Sequence, residues 1–173
     1  KLLAVVVEGM KGRVYLSPTI EMEAVAHSAA PIWKPDVEFF AQALGFRLGN
    51  YGLSKWSELF TPRQTVALDT FAGLVREVRM LATSDAVAKG RVLGKALVDG
   101  GRDATAFGDA MGVYTALVVS RLANRQSTNT FWDTAGGMLQ QVFARQALPM
   151  VWDTAEGNPF SDSSGNFTGQ AEY

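Results

Sequence analysis

The stretch TPRQTVALDTFAGLVREVRMLA, residues 61–82, governs how the rest of the chain is read. Thr61 can accept a hydrogen bond from the free amide of Gln64, and the Gln64 side chain can reach back to the amide of Thr61. Pro62 at the first helical position forfeits no hydrogen bond, since that amide has no acceptor within a helix. Ala67, Phe71, Leu74, Val75, Val78, Leu81 and Ala82 then recur at helical spacing, while Arg63, Asp69, Arg76 and Glu77 lie mostly off that stripe. An amphipathic helix starts at Thr61.

Working toward the C-terminus, a second helix is expected from Ser84 to Val98, ending at Gly100-Gly101. A third runs from Asp103, an expected N-cap, to about Asn124. Phe107, Met111, Tyr114, Val118 and Leu122 share one face, and Val113 and Leu117 widen it. A helix apolar nearly all round is expected to be central and buried. Gly90/Gly94 and Gly108/Gly112 are each four apart. Each glycine costs a helix about 1 kcal/mol relative to alanine, so close helix–helix contact is the expected compensation. A fourth helix spans roughly Gly137 to Glu156, kinked at Pro149. Gly157 is its expected C-cap, and Asn158-Pro159 its stop.

Toward the N-terminus, LLAVVV (2–7), a turn around GMKG and RVYLS (13–17) predict a β-hairpin. Pro18-Thr19 ends it, and a helix through IEMEAVAHSAA follows. Residues 31–56 are mixed, with Trp33, Phe39, Phe40, Phe46, Tyr51 and Trp56 as aromatic anchors. The expected fold is therefore mainly α, a helical bundle-like domain with an N-terminal β-hairpin. Its parts are 1–18 hairpin, 19–60 mixed helix and loop, 61–157 helical core and 158–173 polar tail.

Composition narrows function chiefly by exclusion. The 173 residues fit one domain, with 47% apolar and 19% charged residues. Net charge is −1, and neither half of the chain carries the basic excess that predicts strong phosphate binding. The absence of cysteine rules out disulfides, thiolate zinc sites and a cysteine nucleophile, and it suits a cytoplasmic setting. No apolar run approaches the roughly 20 residues of a membrane span, so no membrane partner is expected. The first residue is not methionine, which suggests a piece of a longer protein.

Catalytic constellations are sparse. His27, the single histidine, sits among alanines and is an improbable base or metal ligand. Glu21 and Glu23 are two apart and diverge on a helix. Asp99 and Asp109 read as solvated. GMKG, DGGRD and AGG lack the strand–loop–helix spacing of a phosphate cradle. Asn158-Pro159-Phe160 resembles a shortened Asn/Asp-Pro-Pro-Tyr/Phe signature of amino-group methyltransferases. That signature needs a buried strand leading into it, whereas VWDTAEG continues a helical pattern, so a helix end is expected.

YGLSKWSELFTPRQTVALDTFAGLVREVR (51–79) resembles a phrase in a family of large prokaryotic adenine-specific DNA methylases with a zinc-ribbon-like insert. DAMGVYTALVVSRLANRQST (109–128), QVFARQALPMVWDTAEGNPFSDSSGN (141–166) and GRVYLSPT (12–19) extend the resemblance over most of the chain. It implies the segment between a methyl-donor motif and an Asp-Pro-Pro-Tyr motif, neither of which is present here. On that basis the chain is expected to have no catalytic residue, no metal and no cofactor of its own. S-adenosylmethionine is expected for the parent, with a role in restriction-modification or phage defence. The implied partners are the remaining domains of the parent methylase and, through it, DNA. The expected DNA contacts are Lys55, Arg63, Arg76 and Arg79, with Ser161, Ser163 and Asn166 in the polar loop. The other expectation is a structural or protein-interaction module without direct DNA contact.

Overall fold

The computed structural model describes residues 2–40, 45 and 47–172, so Phe46 lies outside the described residues. The hydrogen bonds expected at Thr61 are formed. Thr61 Oγ1 accepts from the Gln64 amide at 3.2 Å, and Gln64 Oε1 accepts from the Thr61 amide at 2.9 Å. From this cap, a helix runs from Pro62–Ala88, 27 residues; preceding it in the chain are a helix at Ile20–His27 and two strands. In chain order the strands are β1 (Val5–Gly9) and β2 (Gly12–Leu16), and the helices are α1 (Ile20–His27) and α2 (Pro62–Ala88).

The second helix expected at Ser84–Val98 does not exist as such. Ser84 lies inside α2, and neither proline nor glycine interrupts the backbone between Ser84 and Gly90. There φ turns positive, at 90°, and again at Gly94, at 65°. Those two glycines therefore serve the connection between helices, and a β-carbon on Gly94 would lie 2.6 Å from that of Asp103. A short 3-10 turn at Leu97–Asp99 leads into α3 (Ala104–Ala123).

Asp103 occupies the N-cap of α3, but its side chain makes no capping bond. The free amides of Ala104 and Thr105 instead donate to the carbonyls of Val92 and Leu93, at 2.9 and 2.8 Å. The connecting segment thus supplies the cap that the aspartate was expected to give.

α3 packs along α2 through its smallest residues. A β-carbon on Gly108 would collide with Thr83 Oγ1 and lie 2.7 Å from the Arg79 carbonyl oxygen. One on Gly112 would meet the Arg79 side chain at 3.4 Å. The buried residues of α3 are Ala104, Ala106, Gly108, Gly112 and Leu122. The expectation of a central, buried helix is corrected accordingly. Phe107, Met111, Val113, Tyr114 and Leu117 are exposed, Tyr114 at 68%. Close backbone approach needs the glycine side of the helix, which turns the bulky side outward.

The fourth helix expected at Gly137–Glu156 is absent too. After α3 the chain forms a small antiparallel hairpin, β3 (Trp132–Asp133) with β4 (Met138–Leu139). The Asp133 carboxylate accepts the amides of Ala135 and Gly136 at 3.0 and 3.2 Å, and Gly137 takes φ 60°. An Asx-type turn therefore replaces the expected helix start. Residues 140–166 contain no helix, and α4 (Phe167–Ala171) closes the chain on an Asn166 cap. The residues read as a polar tail thus include a short helix.

Apolar residues within the span of the expected fourth helix anchor loops instead. Val142 and Leu148 are buried with Leu48 and Leu59, and Phe39, Leu53, Trp56, Phe60 and Met150 pack around them. Of the other expected aromatic anchors, Trp33, Phe40 and Tyr51 are exposed. The protein is mainly helical with an N-terminal antiparallel hairpin, as expected. The hairpin meets the rest through the Trp132 indole N–H, which donates to Tyr15 Oη at 3.0 Å.

Candidate functional site

The first turn of α2 lies against two chain segments that sequence spacing does not bring together. The turn after α3 hydrogen-bonds back to the residues before α2: Ser127 Oγ and the Thr128 amide both donate to the Leu59 carbonyl, at 2.8 and 2.7 Å. The 154–160 segment then lies on that turn. The Ala155 amide donates to the Thr130 carbonyl, and Thr154 Oγ1 to that of Thr128. Gln126, 1% exposed, donates from Nε2 to the carbonyls of both Gly157 and Gly165 at 3.0 Å. Buried polar groups hold this region because irregular backbone leaves carbonyls that need donors.

Where these segments meet is a cleft of about 360 Å³, with Arg63, Gln64, Gln126, Glu156, Asn158 and Phe160 on its walls. Glu156 Oε1 lies 2.9 Å from Arg63 Nε, and its Oε2 accepts from Thr61 Oγ1 at 3.3 Å. Gln64 is 1% exposed, and its Nε2 has no acceptor. Phe160 is 81% exposed, and Phe71 backs it at 5.7 Å. The stacked pair Phe71–Phe167, 4.6 Å apart, continues that aromatic wall.

Asn158-Pro159-Phe160 is not a helix end, because no helix precedes it. It is a turn closed on itself. Asn158 Oδ1 accepts from the Phe160 amide at 3.0 Å, and the Asn158 carbonyl accepts from both the amide and hydroxyl of Ser161. No strand leads into it either, so the geometry of a methyltransferase signature is not formed here.

The expected DNA contacts are dispersed. Arg63 is ion-paired with Glu156, Lys55 with Asp36 at 2.8 Å and Arg79 with Asp109 at 2.6 Å. The Lys55 hydrogen bond and charge hold the Asp36 carboxyl below its ordinary value, and the same pair raises Lys55. Among the described residues Arg76 alone of the four is exposed without an ion pair. It lies about 20 Å along α2 from Arg63, at 1.5 Å per residue. Ser161 and Ser163 are engaged in the turn, where the Ser163 amide donates to Ser161 Oγ, and Asn166 caps α4. Ser163 and Asn166 line a second hollow with Arg125, Asp162 and Glu172.

Asp109, expected to be solvated, is engaged. It accepts the Leu97 amide at 2.9 Å as well as the Arg79 guanidinium, and the Leu97 amide is the larger cause of its lowered pKa. Sequence reasoning missed Glu156 and Gln126 altogether. The signal for the second was the polar run QSTNT (126–130) directly after an apolar helix. Among the described residues no group of three His, Cys, Asp or Glu side chains is placed to hold a metal ion. No described helix is long and apolar enough to cross a membrane.

Comparison with protein-family models, with curated proteins and with solved structures finds no match for this chain.

Proposed function

We propose that this chain is a non-catalytic helical segment of an adenine-N6 DNA methyltransferase, in which it works by packing against the other domains of that enzyme. The outward side of α3 carries this reading: Phe107, Met111, Val113, Tyr114 and Leu117 all face solvent on one helix. Contiguous exposed apolar surface of this kind marks a face that docks onto something. The resemblance of residues 51–79, 109–128 and 141–166 supplies the identity of what covers it. The methyl donor, S-adenosylmethionine, belongs to the covering domains.

The test is hydrogen exchange across α3, compared between the isolated chain and the chain within the full methylase. Docking predicts slower exchange at 107–117 in the full enzyme. It also predicts that Tyr114→Glu with Leu117→Glu removes that difference while leaving the isolated chain folded. Equal exchange in the two contexts overturns the reading.

A second reading, in which the segment positions DNA, has the exposed and unpaired Arg76 in its favour. Gel retardation decides it. Duplex binding that weakens with salt and is lost in Arg63→Ala with Arg76→Ala supports it, and no binding at low salt overturns it.

A further inference from the structure

The cleft beside α2 holds a buried hydrogen-bond donor without an acceptor. The Arg63 guanidinium and the side-chain amide of Gln64 line it, at the positive end of a 27-residue helix, and the Thr61 hydroxyl donates to Glu156 on its wall. Against them stands one carboxylate, that of Glu156. Its two oxygens are taken by Arg63 and Thr61. Gln64 Nε2 is left buried and without an acceptor, which proteins rarely tolerate because an unsatisfied buried donor is costly. Exchanging the nitrogen and oxygen of that amide does not help, since Gln64 Oε1 is fixed as acceptor by the Thr61 amide at 2.9 Å. At the mouth of the cleft Phe160 presents an open ring backed by Phe71.

We propose that this cleft binds the phosphate of a nucleotide, and that Glu156 holds the place of the phosphate until the ligand displaces it. A tetrahedral phosphate offers more acceptor oxygens than a carboxylate, enough to engage Arg63, Thr61 and Gln64 together. The helix N-terminus favours the negative charge. The base stacks on Phe160, as bases do on exposed aromatic rings. The nucleotide belongs either to a nucleic-acid strand or to a free mononucleotide, and only the first case rests on the DNA-positioning reading above.

The experiment is a nuclear magnetic resonance titration of the folded chain, following the Gln64 side-chain amide. The probes are inorganic phosphate, thymidine monophosphate and a thymidylate hexamer. A saturable shift of that amide is expected. Glu156→Gln removes the competing carboxylate and is expected to tighten binding about tenfold, the worth of one charge-assisted hydrogen bond. Gln64→Glu keeps the acceptor for the Thr61 amide and replaces the free donor with an oxygen, so helix content stays and binding is lost. A Glu156→Gln variant that binds no more tightly overturns the proposal, as does an unmoved Gln64 amide with all three probes. If Gln64→Glu fails to fold, the Glu156→Gln result decides alone. Thymidine monophosphate binding no better than phosphate, with Phe160→Ala unchanged, overturns the nucleotide assignment. Hexamer above mononucleotide supports the proposal with a strand as ligand, and the reverse supports it with a free nucleotide. Absence of duplex retardation alongside a responding Gln64 amide rejects the DNA-positioning reading and leaves this proposal standing.

Discussion

The α2–α3 pair and the loop region from 124 to 166 are built on opposite terms. In the helical pair the contact is made by what is missing: Gly108 and Gly112 let α3 approach Arg79 and Thr83, and the large apolar side chains turn outward. In the loop region the contact is made by polar groups turned inward. Gln126, Ser127, Asn129 and Thr130 are all buried, and the first three hold backbone carbonyls or amides. The helical pair thus rests on backbone proximity, whereas the loop region adds backbone satisfaction by buried polar side chains to the apolar cluster around Val142 and Leu148.

The sharpest way to break the comparison is Gly108→Val. A branched side chain there has to displace the Arg79 carbonyl, 2.7 Å from the first added carbon. Overpacking of this kind is expected to cost about 3 kcal/mol, read as a lowered urea midpoint with loss of helical circular dichroism. A midpoint unchanged from the parent chain means that α3 does not dock through its glycines. Gln126→Leu addresses the other half. It strips the donor from the carbonyls of Gly157 and Gly165, at an expected cost of about 2 kcal/mol. Limited proteolysis is expected to cut the variant between 155 and 166 while α2 and α3 stay intact. Cutting first within α3 contradicts the division drawn here.

The smallest effect concerns the join between the α2–α3 connection and the two helices. The Leu97 amide, chiefly, and Arg79 hold the Asp109 carboxyl below its ordinary value of 3.8. A folded pKa below the unfolded one gives stability that is complete above 3.8 and fades as pH falls through the folded value. Asp109→Asn is therefore expected to be less stable than the parent chain at neutral pH, with the gap closing as pH falls below 3.8. Thermal melts of both proteins across that range check it. A gap that stays constant with pH assigns the loss to packing instead of charge.

These contrasts also explain what could be read from residue order. Thr61, Pro62 and Gln64 act on one another within a single turn, so the start of α2 was legible. So were the hairpin around Gly9 and Gly12 and the loop character of Ser161–Asn166. The end of α2 was misread at Ser84 because a serine permits a helix start without compelling one. Gly90 ends the helix through its backbone angle. The orientation of α3 was not legible, because Gly108 and Phe107 compete to face α2 and only the packed partner decides. VWDTAEG (151–157) mimicked a helical pattern, yet the Asp133 turn and Gly137 had already set the chain on another course. For the cleft, Arg63 was singled out, but Glu156 lies 93 residues further on, beyond any local rule.

The connection between α2 and α3 has a consequence for how the chain folds. Val92 and Leu93, in the connection, cap α3 from only twelve residues upstream, so the cap of the second helix forms locally once the first has ended. Closing so short a loop costs little entropy. The pair is thus a low-contact-order unit that forms before the long-range bonds of Gln126 and Glu156. Pulse-labelling exchange during refolding is expected to protect 62–123 ahead of 126–166. A chain built this way emerges with its apolar α3 face complete while its own loops are still unfolded.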